Sequence, residues 1–140
     1  MTQVLRGNIV HAPAMGRLDI LEHGCLVLED GVIAGLFSDL PAHLEGAEVR
    51  DFGDRIIMQS FADMHLHAPQ YPMLGMGMDL PLLDWLNTYT FPTEARFADL
   101  DYARRVYRRL ATDLITNGTT RVCMFSSLHT CLLYTSPSPR

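Results

Sequence analysis

The chain has 140 residues, 48% of them hydrophobic, a mean hydropathy of +0.07 and a net charge of −5 with an isoelectric point near 5.6. That is the size of one ordinary domain, with enough apolar side chains for a core and too many for a disordered chain. The acidic balance gives no electrostatic reason to expect nucleic acid, and the absence of lysine excludes a P-loop lysine, a Schiff-base lysine and a lysine general base.

Residues 1 to about 56 read as short strands and turns. Gln3–Val10 is one strand candidate. Cys25–Leu28 and Val32–Leu36 form a hairpin about a tight turn at Asp30-Gly31. Glu48–Phe52 and Arg55–Met58 supply two more segments, and the whole has the texture of part of a small β-sandwich.

Beyond residue 58 strands alternate with helices. Asp63-Met64-His65-Leu66-His67 follows the apolar step, and Pro69 ends extended pairing soon afterwards. Histidines at i and i+2 of a strand share a face, so both imidazoles can reach one metal ion at the strand's C-terminal end, where barrel enzymes gather their chemistry. Metal ligands come in sets of three or four, so the pair alone is also compatible with an accidental His-x-His. Leu80–Asn87 reads as a short helix with Asp79 as its cap and Pro81 in its first turn.

The clearest helix is 101–117, with Ala103, Val106, Tyr107, Leu110, Ala111, Leu114 and Ile115 at 3- and 4-residue steps and Gly118 as its C′ glycine. Arg104, Arg105, Arg108 and Arg109 fall on the other face and read as a solvated surface in preference to a phosphate-binding stripe. Thr119–Phe125 is then a second strand, giving strand, helix, strand, the beginning of a βαβ repeat. Asn117-Gly118-Thr119 matches a glycosylation sequon but reads as a helix-ending turn.

Cys25, Cys123 and Cys131 lack C-x-x-C spacing and form no disulfide framework. The start lacks the apolar stretch of a signal peptide, and no run approaches the roughly 20 apolar residues of a membrane span. A soluble, cytoplasmic protein is expected. The last ten residues, 131–140, change character and resemble a translated sequencing-library adapter, so the native sequence is expected to end near Thr130.

Asp63-x-His65-x-His67 after an N-terminal β-segment resembles the amidohydrolase superfamily. Within it, residues 63–130 resemble the guanine deaminase family. The matching pieces are His67-Ala68-Pro69-Gln70-Tyr71, Met78–Leu86, Tyr89–Phe97, Asn117–Thr120 and Leu128-His129-Thr130. One departure is Gln59-Ser60, where the family has Pro-Gly or Pro-Ser, which alters turn rigidity and removes no ligand. The resemblance implies an α/β fold: 1–57 as the N-terminal part of a β-sandwich, 58–130 as the start of a (β/α)8 TIM-like barrel, and 131–140 as a non-native tail.

It further implies that His65 and His67 hold one zinc ion, which lowers the pKa of bound water from 15.7 to about 7 and so supplies a nucleophile at neutral pH. Guanine would be hydrolysed at C2 to xanthine and ammonia, with His67, Ala68, Pro69 and Gln70 forming part of the substrate contact. The remaining metal ligands and the proton-transfer residues would lie beyond Thr130, so no catalytic residue is assigned within the chain. The full-length family member is expected to be a homodimer.

Gln70 can donate to and accept from a purine edge, or simply satisfy a loop. Asp63 shares the histidines' face and reads equally as a carboxylate orienting an imidazole or as a strand-end hydrogen-bond partner. Trp85 reads as helix packing in preference to a purine wall, Met73, Met76 and Met78 as flexible filler over the site mouth, and His129 receives no metal.

Alternatives are another amidohydrolase acting on a different heterocycle, a non-catalytic scaffold derived from the superfamily, and an unassigned α/β domain. The His-x-Glu with Pro-Cys-x-x-Cys pattern of another zinc deaminase fold is absent.

Overall fold

The computed structural model describes residues 1–129, so Thr130 and the adapter-like 131–140 segment lie outside the described residues. The chain separates into two compact units at Gln59/Ser60, and the described part is mixed α/β.

In the first unit, strands β1 (Thr2–Ala14), β2 (Arg17–Glu29), β3 (Val32–Phe37) and β4 (Val49–Met58) form one sheet in the order β3-β2-β1-β4. β1 pairs antiparallel with β2 and parallel with β4, and β2 pairs antiparallel with β3. The β2–β3 turn is the one that the sequence specifies. Asp30 and Gly31 have φ of 50° and 82°, the left-handed pair that a two-residue hairpin turn requires.

β1 and β2 run longer than apolar alternation suggests because side chains mend their irregularities. Where the ladder shifts after Gly7, Asn8 Oδ1 accepts from the His23 N–H at 3.0 Å, and Asn8 Nδ2 donates to the Asp54 carbonyl at 3.0 Å. The segments 48–52 and 55–58 are likewise one strand, interrupted at Gly53, whose N–H donates to Asp51 Oδ1 at 2.7 Å. Val4, Cys25 and Val27 make the small core, packed against Leu40, Leu44 and Ala47. Leu18, Ile20, Val32, Ile33, Ile56 and Met58 remain exposed.

The second unit holds β5 (Phe61–His67) parallel to β6 (Thr119–Phe125), with α3 (Leu100–Thr116) between them in the chain. α3 begins where Asp99 accepts from the N–H groups of Asp101 and Tyr102, and ends before Gly118 at φ 82°. Ala103, Tyr107 and Leu110 of α3 meet Phe97 and Ala68 in a buried cluster, with Leu66, Val106, Leu114 and Met124 at its margin. Ile115 differs from its expected core position and is 64% exposed. The arginine face is solvated, with Arg104 on Asp101 and Arg109 on Asp113.

The helix expected at 80–87 is shorter at its start and continues further. α1 (Leu82–Trp85) follows Pro81, which takes the cap position, and Asp79 makes no cap. A π-helical turn, Leu86–Thr90, leads into α2 (Phe91–Ala95). Pro92 follows directly in the first turn of α2, where its missing N–H interrupts the α-helical hydrogen-bond ladder. Among the described residues no helix is long and apolar enough to cross a membrane.

Candidate metal and substrate site

Alternation along β5 places Asp63, His65 and His67 on one face, while Leu66 turns toward the α3 cluster. His65 Nε2 and His67 Nε2 lie 3.2 Å apart, and both side chains are exposed. Two nitrogens bound at about 2.0–2.1 Å to a tetrahedral zinc would stand about 3.3 Å apart, so the pair fits two of its ligand positions. Among the described residues no further His, Cys, Asp or Glu completes a group of three. Asp63 Oδ1 accepts from the backbone N–H of His65 at 3.0 Å, so its carboxylate braces the strand and not an imidazole ring.

Directly after His67 the chain turns into a 3-10 segment, Ala68–Met73. Its first two residues, Ala68 and Pro69, are buried, and Gln70 is half-buried. A groove of about 370 Å³ lies on the α3 side of β5, bordered by Leu66, Gln70 and Tyr71, by Leu110, Asp113 and Leu114 of α3 and by the strand at His65 and His67; Phe125, which packs on both imidazole rings, does not border it. Neither Ala68 nor Pro69 borders this groove.

Five further residues stand in and around the site that pattern reading did not assign to it. Phe125, opposite His67 in the β5–β6 register, has its ring 5.0 Å from each imidazole and stacks on His67 at 17°. The Tyr71 hydroxyl donates to Asp113 Oδ2, and Arg109 Nε donates to the same carboxylate at 3.2 Å. The Asp113 carboxylate raises the pKa of the Tyr71 phenol, with burial adding to it. The same hydrogen bond from Tyr71 holds the Asp113 carboxyl below its ordinary range, with Arg109 adding to it. Glu94 Oε1 accepts from Gln70 Nε2 at 3.4 Å. Glu94 stands in the resemblance-bearing run 89–97, but its link to Gln70 spans 24 residues and is invisible to local pattern.

The remaining candidates lie elsewhere. Trp85 donates to the Met76 carbonyl at 2.9 Å and lines a separate depression with Gly77, Met78, Leu80 and Leu82. Met73 is buried at 3% exposure, whereas Met76 and Met78 are exposed, so the three do not act alike. The His129 N–H donates to Ser127 Oγ at 3.4 Å.

No protein-family model matches the chain. A probable guanine deaminase of Schizosaccharomyces pombe is 38% identical over 137 residues, covering 91% of this chain and 26% of that protein. The crystal structure of guanine deaminase from C. acetobutylicum, with bound guanine in its active site, superposes with a TM-score of 0.84 at 44% identity, covering 92% of this chain and 31% of that one. E. coli guanine deaminase follows at a TM-score of 0.76 and 30% identity, again covering 92% and 31%. The chain thus spans only about 30% of the length of the relatives it matches. On this likeness in sequence and backbone together, the chain belongs to the amidohydrolase-type guanine deaminases, of which it is a fragment.

Proposed function

We propose that the chain is part of a zinc-dependent enzyme that hydrolyses guanine to xanthine and ammonia. The observation that carries this is the 3.2 Å separation of His65 Nε2 and His67 Nε2 on one face at the C-terminal end of β5, directly before the turn that carries Gln70. His65 and His67 would hold the metal through these nitrogens, and a bound zinc ion would supply the acidity that makes water a nucleophile at neutral pH. In the reaction a C–O bond forms at C2, the C2–N bond to the exocyclic amino group breaks, and ammonia leaves. Gln70 binds a purine edge through its amide, held in place by the buried Ala68-Pro69 turn next to His67. The bound guanine in the C. acetobutylicum relative supports a purine as the ligand.

β5 and β6 are read as the first two strands of a (β/α)8 barrel within 58–130, the sheet of 1–57 as part of a β-sandwich, and 131–140 as a non-native tail. The exposed Met64 and Val122 on the two-stranded β5–β6 sheet, and the exposed apolar residues of the first sheet, support both units being incomplete. The complete enzyme is a cytoplasmic homodimer in this reading. Two histidines alone hold zinc poorly, so the 140-residue chain by itself is inactive. Ammonia release from guanine, measured with zinc for the full-length reading frame and for the 140-residue chain, tests both statements. An inert full-length protein refutes the function, and turnover by the short chain refutes the need for further ligands.

A further inference from the structure

A primary amide has two ends of the same shape and opposite chemistry, so a glutamine in a binding site specifies nothing until something decides which end faces the ligand. We infer that Glu94 makes that decision for Gln70 and so sets the hydrogen-bond polarity of the substrate contact, an inference that rests on the guanine reading above. An ionised carboxylate only accepts, and Glu94 Oε1 stands 3.4 Å from the Gln70 amide group. The NH2 end must therefore turn to Glu94. The carbonyl oxygen is left as the acceptor that Gln70 offers to a ligand.

Glu94 is placed for this role by its surroundings. It is half-buried on α2, flanked by the π-helical turn before it and the buried Phe97 after it. Its charge is felt by the buried Tyr107 hydroxyl, whose pKa it helps to raise, after the larger effect of burial. The ligand edge that meets Gln70 must then carry an N–H. Guanine has several, and a base with a bare ring nitrogen at that position would leave two acceptors facing each other, the mismatch that polar sites reject most strongly. Glu94 is thus a positioning residue that acts on specificity through Gln70.

The test is made in the full-length zinc enzyme carrying this sequence. E94Q is nearly isosteric, but its own amide donates as well as accepts, so it frees Gln70 to turn. KM for guanine is expected to rise about tenfold with kcat within about twofold. In the exchanged double variant E94Q/Q70E, the carboxylate at position 70 accepts only, so KM is expected to return to within about threefold of the parent. A merely structural role for Glu94 would produce no such rescue. An E94Q KM within twofold of the parent, or a double variant no better than E94Q, overturns the proposal.

Side-chain amide NMR of the unsubstituted full-length enzyme keeps it falsifiable should E94Q misfold. One Gln70 N–H proton is expected to be shifted by the hydrogen bond, and a free, rapidly rotating pair overturns it. If the unsubstituted full-length enzyme does not turn over guanine, it is the functional reading that fails, and the Gln70 signal still reports on Glu94.

Discussion

Replacing Phe97 with alanine tests whether the site rests on the packing beneath it. Phe97 is fully buried, meets Ala68, Ala103, Tyr107 and Leu110, and lies edge-on to Tyr102 at 5.1 Å and tilted to Tyr107 at 5.4 Å. Truncating a buried Phe costs about 3–5 kcal/mol through lost transfer energy and the cavity left behind. Each aromatic contact adds about 0.5–1.5 kcal/mol where the geometry is specific, part of which is already in that range.

We therefore expect a loss of about 4 kcal/mol for F97A. A unit of about 70 residues has roughly 4–10 kcal/mol in all, so the variant should stand near the edge of folding. F97L keeps most of the volume and should lose about 1–2 kcal/mol. Because Ala68 follows His67 directly, the same variant should disturb the turn that carries the site. Denaturant unfolding followed by far-UV circular dichroism gives the stabilities, and histidine side-chain NMR reports on His65 and His67. A loss below about 1 kcal/mol for F97A would refute the view that this ring organises the core.

Further outcomes are expected at the site and around it. Asp113 has its pKa lowered from 3.8, so its contribution to stability is present above that value and lost as pH falls through the lowered one. Tyr71 has its pKa raised from 10.0, so its contribution is complete below that value and lost as pH rises through the raised one. Y71F should flatten both limbs of a stability-against-pH profile, and an unchanged profile would contradict the pairing. Gly77 has φ +63°, and a Cβ there would stand 2.4 Å from the Tyr89 ring and 3.2 Å from Trp85. G77A should cost at least about 1–2 kcal/mol and alter Trp85 fluorescence, whereas a neutral result would show that the loop repacks freely. In the full-length enzyme H65A or H67A should abolish zinc retention on dialysis, and F125A should weaken zinc affinity about tenfold with the metal still bound. Metal content equal to the parent in the histidine variants would remove them from the ligand set.

Much of the local structure was legible in the sequence because it depends on neighbours in the chain. Asp30-Gly31 adopts the left-handed turn that only a few residue types tolerate. The period of two puts His65 and His67 on one face of β5, and the 3- and 4-residue steps of 103–114 bury the right side of α3. Where local rules met a competing local effect the reading was off. The helical run passes through a π-turn and on past Pro92 instead of ending at 87, and Asn8 and Gly53 carried strands through irregularities that sequence alternation treats as breaks.

What the tertiary structure alone decided is which side chains meet across the chain. The parallel register of β5 and β6 sets Phe125 against His67, the fold of α3 brings Asp113 to Tyr71 over 42 residues, and α2 brings Glu94 to Gln70 over 24. The physical reason is that periodicity tells which face a residue occupies, whereas its partner depends on how two faces slide and dock. Those are set by packing summed over the whole buried cluster, and no pair of residues carries that sum in its own spacing.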